Sequence, residues 1–135
     1  IDSGSKDETL EICNNWSFLD DRIKIYETKS SIFELALEKS TGKYILFIDN
    51  INLEDEKMLE KMINAIKNNN SDISIYNSNY NKVASYLVCN HQNIINTFDG
   101  PLWNKLFKKD LFNTYNIENI FKTALKKAVR VSLFV

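Results

Sequence analysis

Residues 44 to 48, Tyr-Ile-Leu-Phe-Ile, run apolar without a break and end at Asp49. Five residues are far short of the ~20 that span a bilayer, and the run is also short for a helix. A short apolar run of this kind suits a strand covered on both faces, as in a parallel sheet. The segments that follow agree with that. Met58, Leu59, Met62, Ile63 and Ile66 recur at helical spacing, and "DISIY" at 72–76 reads as the next strand. Strand, helix and strand in succession predict an α/β class with a mostly parallel sheet flanked by helices.

The remaining segments extend the alternation. "IDSGS" leaves the tail of a strand, and Ser5 with Glu8 has the capping-box pattern of a helix carrying Ile12, Cys13, Trp16 and Leu19. "RIKIYE" at 22–27 alternates like a strand, and a second capping box, Ser31 with Glu34, opens a helix that Thr41-Gly42 closes. Further on, "KVASYLVCN" reads as a strand and "GPLWNKLFKKDLF" as a turn followed by a short helix. "NIENIFKTALKKA" reads as a helix and "VRVSLFV" as a last strand. At 135 residues this is one domain, 1–135, with enough chain for a real core. Both ends read as cut, so the expectation is either a fragment, incomplete at its N-terminus, or a parent protein that has lost pieces.

Seventeen basic residues against eighteen acidic leave no bulk charge to attract nucleic acid. No segment reads as a membrane span or a signal peptide, and Cys13 and Cys89 lie far apart in apolar surroundings. Free thiols in a reducing compartment follow, and the expected location is cytoplasmic. Asn, Lys and Ile make up 49 of 135 residues, so runs such as Asn68-Asn69-Asn70 carry little functional information. His91, the only histidine, has no partner at ligand spacing.

In open α/β sheets, ligands sit beyond the carboxyl ends of the strands. Polar residues stand at three such ends here: Asp2-Ser3-Gly4-Ser5, Glu27-Thr28-Lys29 and Asp49-Asn50. Together with "TGKYILFID" and "WNKLFKKDLF" in this order, the pattern resembles the family 2 glycosyltransferases of the GT-A (Rossmann-like) fold. The resemblance implies transfer of a sugar from a nucleotide-diphosphate donor to a glycan or lipid-linked acceptor hydroxyl, with inversion at the anomeric carbon. It also implies Mg²⁺ or Mn²⁺ as cofactor where the enzyme is active. The strand and helix that precede the "IDSGS" position in the family have no counterpart in this sequence.

Carried over residue by residue, the resemblance places Asp2, Ser3, Asp49 and Asn50 at the donor. Ser3 stands where the family has a second acid. Phe33 replaces an arginine that neutralises donor phosphate. Asp49 begins the D-x-D motif, but the second acid has become Ile51, which has no side-chain oxygen, and Asn52 offers only an amide. The metal set is therefore reduced to Asp49 and Asn52. Glu54 and Asp55 read as the start of the next helix, where acids suit the dipole. The general-base pair becomes Glu118 and Asn119, and an amide does not accept a proton at neutral pH. Trp103, Asn104 and Lys105 fall on the acceptor side, with Trp103 suited to stacking on a sugar face.

These changes touch nucleoside, phosphate, metal and base while capping residues and apolar stripes remain in register. The expectation is a glycosyltransferase domain with weakened or lost activity. The alternative is a non-catalytic α/β module, a pseudoenzyme binding a protein or glycan. A phosphoacceptor domain built on Asp49 is a distant third, since Asp2 fits its acid cluster poorly.

Overall fold

The computed structural model describes residues 1–48, 55–77, 82–86, 104–115 and 131–134. They form two compact units, Ile1–Lys39 and Ser40–Val135.

In the first unit, the Asp2 amide donates to Tyr26 O (2.8 Å) and the Thr28 amide donates to Asp2 O (2.9 Å). This makes a parallel bridge between Asp2 and Glu27. The alternating stretch 22–27 therefore contributes one bridge rather than the full strand its pattern predicts. Alternation decides which side chains share a face, but a ladder also needs a neighbouring strand. Helix α1, Thr9–Leu19, starts where Asp7 Oδ1 accepts from the Thr9 amide at 3.1 Å. The Ser5–Glu8 capping box does not form, because the Ser5 hydroxyl turns back to the Asp2 carboxylate. No residue of α1 is buried, and Ile12, Trp16, Phe18 and Leu19 are exposed. Helix α2, Ile32–Lys39, opens as expected, with Ser31 Oγ accepting from the Glu34 amide at 3.2 Å.

The second unit holds strands β1 (Tyr44–Ile48), β2 (Ile73–Asn77), β3 (Lys82–Tyr86), β4 (Lys105–Lys108) and β5 (Val131–Phe134). Among the described residues they form one sheet in the order β3-β2-β4-β1-β5. Every ladder in it is antiparallel, so the expected mostly parallel sheet is corrected. The cause is β4, which the sequence pattern assigned to a turn and helix. Strands β1 and β2 do run the same way, joined by a crossover helix α3, Met58–Asn68. However, β4 lies between them and pairs with both, through Leu46↔Leu106 and Ser74↔Leu106.

Alternation along the strands makes two layers. On one face Tyr44, Leu46, Tyr76 and Leu106 pack with Met58, Met62 and Ile66 of α3. On the other, Phe47, Phe107 and Phe112 meet edge to face at centroid distances of 5.7 to 6.5 Å. Phe112 belongs to helix α4, Asp110–Tyr115. Strand β1 is thus buried on both faces, as its apolar run requires. Helix α3 ends in a Schellman motif: the Ser71 amide donates to Ile66 O (3.0 Å), and Asn70 takes the left-handed φ of 47° that asparagine tolerates. The asparagine run is a helix stop. Among the described residues, no helix is long and apolar enough to cross a membrane.

Two substitutions test this core. Met62 is fully buried, so Met62→Ala should cost about 2–5 kcal/mol in urea unfolding. Among the described residues, Ser74 Oγ, buried on the α3 face, has no hydrogen-bond partner. Ser74→Ala should therefore leave stability unchanged or raise it by up to ~1 kcal/mol; a clear loss would contradict the packing described.

Candidate functional site

Because β1 and β2 are both antiparallel to β4, their carboxyl ends lie on one edge of the sheet together with the first residues of β4. The Tyr76 amide donates to Asn104 O at 2.8 Å, extending the β2–β4 ladder to that edge. The Asn104 side chain is held at both ends: Nδ2 donates to Tyr76 O (3.1 Å) and Oδ1 accepts from Lys105 Nζ (3.0 Å). Lys105 is only 2% exposed. An ammonium buried to this degree is tolerable only when hydrogen-bonded.

On the α3 side of the same edge, Tyr76 Oη donates to Asp55 Oδ2 at 2.8 Å, and Lys61 Nζ donates to the same oxygen at 2.8 Å. The other oxygen, Oδ1, accepts from the Lys57 amide at 2.9 Å as α3 begins. Lys61 and then Tyr76 hold the Asp55 carboxyl down to about 2. Hydrogen bonds thus connect the start of α3, the end of β2 and the start of β4. A polar edge of this kind, at the carboxyl ends of strands, is where open α/β sheets bind ligands.

The family described as Glycosyl transferase family 2 matches residues 1–135. The chain belongs to that family. Two curated relatives are similar to it. One is an uncharacterized glycosyltransferase of Haemophilus influenzae, 35% identical over 74 residues, covering 51% of this chain and 30% of the relative. The other is the glycosyltransferase GlyG of Streptococcus pneumoniae serotype 4, 26% identical over 148 aligned positions, covering 88% of this chain and 49% of the relative. The chain thus spans half or less of the length of these relatives. Family 2 membership implies the GT-A α/β fold.

Of the site residues that the sequence singled out, Asn104 and Lys105 come together at the sheet edge. Asp2 and Ser3 are neighbours in the first unit, where Ser3 is exposed. Asp2 Oδ2 accepts from the Gly4 amide (2.8 Å) and the Ser5 amide (3.0 Å), and Oδ1 takes the Ser5 hydroxyl. The Ser5 hydroxyl, then the Ser5 and Gly4 amides, lower the Asp2 carboxyl below its ordinary value. Asp49, Asn50, Asn52, Trp103, Glu118 and Asn119 lie outside the described residues. Sequence reasoning missed Tyr76 and Lys61 altogether and read Asp55 only as a helix start. A tyrosine closing the strand "DISIY" was the available signal, since that strand end belongs to the polar edge.

A divalent cation, as family 2 chemistry commonly employs, needs several oxygen ligands. The described side chains fit it poorly. Asp49 is the only carboxylate in Asp49-Asn50-Ile51-Asn52. The nearest described acid, Asp55, has both oxygens committed to Lys57, Lys61 and Tyr76. Among the described residues, no group of three or more His, Cys, Asp or Glu is arranged to hold a metal.

The Asp55 network gives a pH test. Its folded carboxyl lies near 2, below the ~3.9 of an unfolded aspartate. Its stabilisation is therefore complete above about pH 4 and is lost as pH falls through the folded value. Asp55→Asn should be less stable than wild type at neutral pH, with the gap closing toward pH ~2. A gap independent of pH would show that the charge plays no part.

Proposed function

We propose that this chain is a glycosyltransferase domain that binds a nucleotide-diphosphate sugar at the carboxyl edge of β1 and β2, with its transfer chemistry weakened or lost. The observation that carries this reading is the ordered polar edge, Asp55–Tyr76–Asn104–Lys105, in a chain matched by family 2 along its whole length.

In the reaction, the acceptor hydroxyl oxygen attacks the anomeric carbon from the side opposite the diphosphate. The new glycosidic bond forms as the carbon–oxygen bond to the diphosphate breaks, the bonding pair leaves with the phosphate oxygen, and the configuration inverts. Asp2, Ser3, Asp49 and Asn50 serve the donor in this reading. In the same reading Trp103, Asn104 and Lys105 serve a glycan or lipid-linked acceptor. The weak point is the hydroxyl proton. Asn119 cannot take it, and Glu118 is one residue away, a turn of ~100° if the segment is helical. Mg²⁺ or Mn²⁺ is tied to the active form of the enzyme and has a poor set of ligands here. The loss of carboxylates at three positions, Ser3, Ile51 and Asn119, also favours a second reading, a module that binds a glycan or protein without catalysis.

Thermal denaturation with a panel of nucleoside diphosphates, each in Mn²⁺ and in EDTA, tests the donor. A nucleotide at ~100 times its Kd should stabilise the fold by about 2.7 kcal/mol, several degrees for a domain of this size. No shift with any of them, in either buffer and from folded protein, would leave the binding module as the surviving account.

A further inference from the structure

We propose that the exposed apolar stripe of helix α1, Ile12, Trp16 and Leu19, docks a basic amphipathic helix of another protein. The proposal stands apart from the donor reading, since it uses none of the residues placed at the donor or the acceptor.

The first support is the stripe itself. A surface helix normally turns its apolar side toward the core. Ile12, Trp16 and Leu19 fall at i, i+4 and i+7, within ~60° of one another around the helix axis. They are 52%, 58% and 73% exposed. The half-buried residues of the helix, Leu10, Cys13 and Ser17, lie on a different side, so the stripe is not the face by which α1 packs. Phe18, 90% exposed, adds apolar surface at the carboxyl end. Contiguous apolar surface of this kind marks an interaction site, and anchors at this spacing suit a helix lying against a helix.

The second support is charge, which selects the occupant. Residues 7–21 carry Asp7, Glu8, Glu11, Asp20 and Asp21 and no basic residue. Lys6 and Arg22 flank the stretch, and Arg22 is paired with Asp20 at 2.6 Å. Acids therefore stand at both ends of the stripe. A second copy would bring the same acids against them, and like charges across an interface oppose association. Helices that lie on lipid surfaces have polar faces rich in Lys and Arg, the reverse of this one. A helix with an apolar stripe and lysine or arginine flanks complements both features at once. Trp16 lies at the middle of the stripe, where truncation of an anchor costs most.

Fluorescence anisotropy of a labelled synthetic peptide tests the proposal, with each protein checked for folding by circular dichroism. The peptide is a helix of about four turns with Leu along one face and Lys elsewhere, and its control carries Glu in place of Lys. The 135-residue chain should bind the Lys peptide but not the Glu peptide, and more weakly as salt rises. Trp16→Ala should weaken binding about tenfold or more. The fold should survive that change, because no residue of α1 is buried. The double variant Glu8→Gln, Glu11→Gln should weaken binding less and flatten its salt dependence, and it decides alone if Trp16→Ala does not fold. Equal binding of both peptides, or no binding by folded wild type, overturns the proposal. A dimer in ultracentrifugation that Trp16→Ala abolishes also overturns it and gives the stripe to a second copy. Flotation with anionic vesicles that the same variant abolishes gives it to a lipid surface instead.

Discussion

The insertion of β4 between β1 and β2 is the constraint on which the second unit depends. A crossover helix makes β1 and β2 run the same way, which leaves a strand-wide gap between them. Only a strand that bonds to both sides fills it, and β4 does so in one register, with Leu46, Leu106 and Ser74 in a row. The same four residues serve both layers. Leu106 points to α3, while Phe107 meets Phe47 and Phe112. At the amino end of the strand, Asn104 and Lys105 form the polar edge. Core, sheet and candidate site share one short segment.

That segment was also the hardest to read. "KLFK" has two apolar residues between lysines, too little for a period-2 or a 3.6-residue pattern to declare itself. What makes it a strand is the pair of waiting neighbours, which no local pattern records. By contrast, "YILFI" was legible as a buried strand because continuous burial on both faces demands continuous apolarity. The α3 stripe was legible because its apolar face repeats over three turns. The Ser31 cap was legible, while Ser5 was not, since a carboxylate three residues before it offered the hydroxyl a closer partner. At the site, Asn104 and Lys105 were named from family resemblance, but their link through Tyr76 depends on strand order and so was out of reach.

Four of the described aspartates share a habit. Asp2, Asp7, Asp20 and Asp55 each accept from the backbone amide two residues ahead, at Gly4, Thr9, Arg22 and Lys57. These are local turns in which the carboxylate organises its own loop. An oxygen used in this way is a poor candidate for a hard cation, because ligation would unpin the loop that presents it. Asp55, the described aspartate nearest in sequence to Ile51, is held in this way and is poorly placed to serve as a cation ligand.

The position of β4 also bears on how the chain is made. Synthesis proceeds from the N-terminus, so residues 44–77 leave the ribosome before 104–108. During that interval β1 and β2 have facing edges with no strand yet between them. Unpaired edges of apolar strands are templates for other chains. Newly made protein is thus exposed to wrong pairing for as long as some thirty residues take to emerge, and arrival of Leu106 and Phe107 ends that exposure. A cell producing this chain faster than it can shield those edges would meet the defect as aggregation, with every residue of the finished fold unchanged.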